Sequence, residues 1–199
     1  MKKILCGIGL LFAIISWVDK NGNSDKGAGA NEKLNVDKNL QYCHDQVSKA
    51  LSEIHDMTKI PRNILAGEKS WNLRSVEISE WTVGFWPGIL WYVYESSNDE
   101  NIKKAAVHYT ELLEPLTELP AYDHDLGFQI FCSYGNAYRL TGKEEYKQII
   151  LNAADTLATL FNSRVGTILS WPREVESNNW PHNTIMDNMM NLEMLYWAA

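Results

Sequence analysis

Three ionisable side chains stand side by side in Asp123-His124-Asp125, and a fourth, Asp187, lies in the run Ile185-Met186-Asp187-Asn188-Met189-Met190-Asn191. A histidine between carboxyls can hold or pass a proton, and carboxyls gathered in one place shift one another's pKa values. The Ile and Met neighbours of Asp187 predict a desolvated carboxyl that stays protonated above its ordinary range, as a general acid requires. Each Asp also has a plainer reading, because Asp is a favoured helix N-cap and all three precede helical stretches. The remaining clusters are aromatic. Trp81 and Trp86 flank Gly84-Phe85, and Trp171 follows Ser170 on a loop. Such rings either fill a core or stack on flat CH-rich faces of a ligand, and eight Trp with nine Tyr in 199 residues leave both roles open.

Helices must position these groups. Leu40, Cys43, Val47, Leu51 and Ile54 recur at three- and four-residue steps and predict one amphipathic helix. Residues 57–80 carry Pro61 and Gly67 and read as a long loop. Helices are then predicted at 84–97, 100–117, 125–140, 143–162 and 184–199, with no strand alternation of useful length. Two stretches look like copies of a unit of about 44 residues: Gly84-Phe85 and Gly127-Phe128 each open a helix, and each is followed by a second, acid-headed helix. One helical hairpin cannot bury its own apolar face, so the repeat implies a solenoid or a closed ring of hairpins. Loops at one end of such a ring converge on a single cleft. The last predicted helix ends on Leu195-Tyr196-Trp197-Ala198-Ala199 without a stop or a partner, which is read as a chain cut short.

Composition narrows the class. The net charge is −7 and the basic residues are scattered, so no nucleic-acid face is expected; Lys147, Arg164 and Arg173 read as isolated charges on solvated faces. Lys2 and Lys3 followed by the apolar run 4–18 read as an export signal leading into a flexible linker up to residue 30, with a periplasmic destination and no lasting membrane partner. That run is short for a membrane span. Cys6 should leave with the signal, and Cys43 and Cys132 read as buried free thiols on helices. The five His, at 44, 55, 108, 124 and 182, form no zinc-ligand spacing.

In order along the chain, Glu-Trp-Thr-x-Gly-Phe-Trp-x-Gly-Ile-Leu-Trp (80–91), His-Asp-Leu-Gly-Phe (124–128), Gly-x-Ile-x-Ser-Trp (166–171) and Ile-x-Asp-Asn-Met-Met-Asn-Leu (185–192) resemble the unsaturated glucuronyl hydrolases, glycoside hydrolase family 88. The resemblance implies an all-α fold of the (α/α)6-barrel type, a toroid of helical hairpins of which residues 31–199 would be an incomplete N-terminal portion. It implies Asp187 as general acid/base and Asp125 as the second essential carboxylate. His124, Trp81 and Trp171 match positions that line the sugar site. The implied reaction removes a 4,5-unsaturated uronic acid from the non-reducing end of polysaccharide-lyase products, by acid-catalysed hydration of the C4=C5 bond, with no metal or organic cofactor. Other substrate contacts of the family lie beyond residue 199. The related unsaturated rhamnogalacturonyl hydrolases share this pattern, and a non-catalytic helical-repeat sugar binder would use the same Trp-lined cleft.

Overall fold

The computed structural model describes residues 35–199; the expected export signal and linker lie outside the described residues. Helix α1 (Val36–Glu53) starts where the Asn35 side chain accepts the Lys38 N–H. Two strands follow, β1 (Ile60–Ile64) and β2 (Trp71–Arg74), paired antiparallel. This hairpin occupies the stretch expected to be a loop. It was not visible as alternation because its register slips between Pro61 and Asn63 and the exposure of β1 does not alternate.

Two helical hairpins form the body. In the first, α2 (Phe85–Ser97) and α3 (Glu100–Glu111) join through Asn98 in the left-handed region and Asp99, whose carboxylate accepts the Asn101 N–H. A 3-10 turn over Glu114–Glu118 follows α3, where Pro115 would remove an α-helical hydrogen bond. In the second hairpin, the predicted helix 125–140 is observed as α4 (Leu126–Ile130), a π turn (Phe131–Gly135) and α5 (Asn136–Thr141). Gly142, at φ 67°, ends it, and α6 (Glu144–Ala158) runs back with Glu144 and Glu145 complementing the positive end of its dipole. A minimal strand pair, β3 (Phe161–Asn162) and β4 (Thr167–Ile168), and the one-turn α7 (Glu174–Ser177) lead to a 3-10 turn (Met186–Asn191) and α8 (Leu192–Ala198). The expected helix from 184 thus begins as a tighter coil.

The core lies between the hairpins. Leu90, Trp91, Ile102, Ala106, Tyr109, Leu113, Ile130, Tyr134, Ile150 and Leu157 are fully buried, and the Trp91 indole donates to Thr110 Oγ1 at 2.9 Å. Glycines let the units close up. A Cβ on Gly84 would sit 2.1 Å from the Gln129 carbonyl oxygen, and one on Gly127 would sit 2.1 Å from Asn191 Oδ1. Each repeat-opening glycine therefore touches the following unit, and Phe85 stacks on Phe128 at 5.7 Å with planes 6° apart. Among the described residues Cys43 and Cys132 form no disulfide; both are only partly buried, and burial pushes the Cys132 thiol up to about 11.

Candidate active site

His124 is the hub. It is 1% exposed, and its backbone N–H and ring Nδ1 both meet the Ser170 carbonyl oxygen, at 3.1 and 3.0 Å. A carbonyl only accepts, so Nδ1 carries a hydrogen. The opposite nitrogen, Nε2, then faces two acids: Asp187 Oδ1 at 2.9 Å and Asp125 Oδ1 at 3.2 Å. Without a proton there the ring lone pair would oppose carboxylate lone pairs. At least one proton must therefore sit on Nε2 or on one of the two carboxyls.

Chain segments far apart in sequence hold this geometry. Asp123, His124 and Asp125 enter α4, while Ser170 comes from the loop after β4. Ser170 Oγ receives the Ile185 N–H at 3.0 Å and the Asn188 amide at 2.7 Å, fixing the start of the turn that bears Asp187. Asn191, fully buried, donates to the His124 carbonyl at 2.9 Å. Its Oδ1 finds no partner among the described residues and lies against Gly127.

The two carboxyls differ in setting, and not as the flanking residues suggested. Asp125 is the desolvated one: its side chain is 13% exposed, and burial, then the charges of Asp123 and Asp187, push its pKa up to about 6 against the pull of His124 and Arg173. Asp187 is 38% exposed. The methionines expected to enclose it point outward, Met186 being 86% exposed. The capping readings give way for two of the three. Asp125 precedes α4 without making a side-chain cap bond, and Asp187 lies inside a 3-10 turn whose N-cap is Ile185. Asp123 Oδ1, by contrast, accepts the Asp125 N–H at 3.0 Å and so does cap the entrance to α4.

Aromatic rings extend from this centre. The Trp171 ring meets His124 edge to face at 5.8 Å. On the other side His124 contacts Phe128 at 6.4 Å, Phe128 stacks on Phe85, and Phe85 meets Trp81 at 5.9 Å. His124, Asp125, Asp187 and Trp171 are thus brought together, whereas Trp81, 44% exposed, is joined to them only through two phenylalanines. Glu80 anchors Trp81. It is buried, and accepts Arg74 Nε at 2.7 Å, Thr82 Oγ1 at 2.8 Å and Arg62 Nη1 at 3.0 Å. Burial alone would raise its pKa, but these donors together hold it below the ordinary carboxylate value. An open cavity of about 560 Å³ lies next to the site, lined by Phe161, Arg164, Pro172 and His182; neither Asp125 nor Asp187 lines it.

Several of these residues escaped the reading of the sequence. Ser170 acts through its backbone carbonyl as well as its hydroxyl, and the carbonyl's role is one no side-chain pattern reports. Glu80 was read only as part of a motif. Arg173, expected on a solvated face, instead donates to the buried Asp123 at 2.8 Å. Asp123, His124 and Asp125 can each present one ligand-type atom within 4.8 Å of the others. Both Asp123 oxygens are, however, already taken by the Asp125 N–H and Arg173, and the donor set fits a hydrogen-bonded proton network.

No protein-family profile matches the chain. It is 31% identical over 187 residues to an unsaturated glucuronyl hydrolase of Formosa agariphila, an alignment covering 93% of this chain and 45% of that protein. It is also 31% identical over 122 residues to an unsaturated chondroitin disaccharide hydrolase of Streptococcus agalactiae, covering 60% of this chain and 30% of the relative. Among solved structures it superposes on an unsaturated glucuronyl hydrolase specific for heparin with a TM-score of 0.71 and 38% identity, covering 81% of this chain and 41% of the other. The chain thus spans less than half the length of the relatives it matches, and its helical architecture is that of their toroid.

Proposed function

We propose that this chain, a relative of the unsaturated glucuronyl hydrolases, contributes the acid–base centre that removes a 4,5-unsaturated uronic acid from the non-reducing end of lyase-generated oligosaccharides. The observation that carries this reading is the His124 Nε2 shared between Asp187 at 2.9 Å and Asp125 at 3.2 Å. The geometry requires a shared proton between the ring nitrogen and these carboxyls. Asp187 is its more exposed carboxyl and suits direct contact with substrate, while Asp125 lies behind it.

The substrate ring contains a vinyl ether, C4=C5 conjugated to the ring oxygen. Asp187 protonates C4, and positive charge develops over C5 and the ring oxygen. Water adds at C5 and returns its proton to Asp187, so the acid is regenerated. The resulting C5 hemiketal opens to a ketone as the C5–ring-oxygen bond breaks, leaving a hemiacetal at C1 that collapses to an aldehyde and releases the next sugar as an alcohol. His124 steadies the charge left on Asp187 during transfer, and Asp125 adds negative potential opposite the developing cation. Trp171 and Trp81 supply ring faces for the sugar. This differs from direct attack at the anomeric carbon by two carboxylates. The basic-then-apolar N-terminus supports export, where lyase products would be met.

The test offers the protein unsaturated disaccharides from heparin and from chondroitin, and follows loss of the C4=C5 absorbance. Turnover is expected, and Asp187→Asn should lower it at least about 10³-fold while leaving the circular dichroism unchanged. Near-wild-type rates in that variant sink the assignment of Asp187. Binding without any absorbance change in the unsubstituted protein would instead favour a non-catalytic sugar binder.

A further inference from the structure

Asp123 is 3% exposed, and a buried carboxylate needs a counter-charge or a proton. Arg173 Nη1 lies 2.8 Å from its Oδ2. The same guanidinium rests 4.7 Å from the centre of the Tyr122 ring and 3.7 Å from Glu174 Oε1. Asp123 in turn is bonded through Oδ1 to the Asp125 N–H, so Arg173 is one residue removed from the centre at His124. The charged groups gathered here are Asp123, His124 and Asp125 at the entrance of α4, Asp187 on its 3-10 turn, and Arg173 with Glu174 at the start of α7. Among the described residues, Arg173 is the one permanent cation paired with this set.

We propose that Arg173 is a positioning residue that sets how tightly the Asp125–His124–Asp187 cluster holds its proton, by neutralising Asp123 behind it. With Arg173 in place, two carboxyls compete for the cluster proton. Without it, Asp123 becomes an uncompensated third negative charge and proton affinity rises. The same ion pair ties the loop carrying Trp171 to the entrance of α4, so the device combines charge with placement. This inference builds on the hydrolase reading, in which that proton is the one delivered to C4, but the proton affinity can be measured with no substrate present.

The test is an NMR titration of ¹⁵N-histidine-labelled protein, following His124 Nε2 against pH. Arg173→Gln should move the His124 midpoint up by about one pH unit, roughly tenfold in proton affinity. Arg173→Lys, which keeps the charge, should stay near the unsubstituted value. Asp123→Asn should move the midpoint down. A midpoint unchanged in folded Arg173→Gln overturns the proposal, as does a shift in Arg173→Lys equal to that in Arg173→Gln. Should Arg173→Gln fail to fold, Asp123→Asn decides, since an unmoved midpoint there removes the electrostatic link. If the titration behaves as expected and no unsaturated sugar is turned over, the charge device stands and the hydrolase reading falls.

Discussion

The Nδ1–H of His124 is committed to the Ser170 carbonyl, and that commitment determines what the opposite nitrogen can do. Both acids on that side meet the same ring nitrogen, so they share one hydrogen-bonding partner. Asp125 carries the measurable consequence for stability. Its pKa in the fold is about 6 against an ordinary 3.8, so the folded chain binds more protons than the unfolded chain between those values. Stability therefore falls as pH rises from about 4 to about 6, and the full penalty persists above that. Asp125→Asn should remove the penalty: a gain of at most about 3 kcal/mol at pH 8 and almost none at pH 3.5, read from urea midpoints. A gain of equal size at both pH values would contradict the raised pKa. At this scale the sequence told only part of the story. Adjacency exposed Asp123-His124-Asp125 as a cluster, and the resemblance singled out Asp187. Flanking residue types misjudged which carboxyl is desolvated, because Met186 and Met189 turn outward from a 3-10 turn that sequence spacing cannot distinguish from an α-helix.

At the scale of elements, the site depends on how closely successive hairpins approach. Gly84 opens α2 directly against the backbone of Gln129 in α4, and that backbone cannot swing away as a side chain would. Gly84→Ala should therefore destabilise the protein by more than about 3 kcal/mol, measured by chemical denaturation. An unchanged midpoint would mean that α2 and α4 are free to separate. Helices were the legible elements: apolar spacing gave α1, α2 and α6 within a few residues and the start of α3, whose expected end at 117 gives way to a 3-10 turn after Glu111, and the paired Gly-Phe steps gave the repeat. Less regular pieces were hidden for physical reasons. The π turn at Phe131–Gly135 keeps helical spacing on either side of it, and β1 and β2 are too short and too irregularly buried to show a period of two.

For the whole molecule, contacts run mainly from one unit to the next, as Gly84 with Gln129 and Gly127 with Asn191 illustrate. A stack or ring of helical hairpins was legible because a repeat that cannot bury its own face needs neighbours, and the family resemblance narrowed it to the toroid. The aromatic series Trp81, Phe85, Phe128, His124 and Trp171 crosses three units; the resemblance singled out Trp81, His124 and Trp171, but the stacked phenylalanines that join them were not legible, since no window of sequence holds more than two members of the series close together.

The helices that start at the charged cluster also end well away from it. The 13 residues of α2 carry the chain about 20 Å from Phe85 to the turn at Asn98, and the equivalent turn at Gly142 has open space around its Cα. The charged cluster and the hairpin turns at Asn98 and Gly142 therefore lie at opposite ends of these helices. That makes the far end a natural attachment point for a fluorophore, a tether or a fused module. A short Gly-Ser insertion after Gly142 should leave both the denaturation midpoint and the His124 resonance where they were. The same insertion between Asp123 and His124 should erase the resonance shift. A reporter can therefore ride on this scaffold without disturbing the proton it carries.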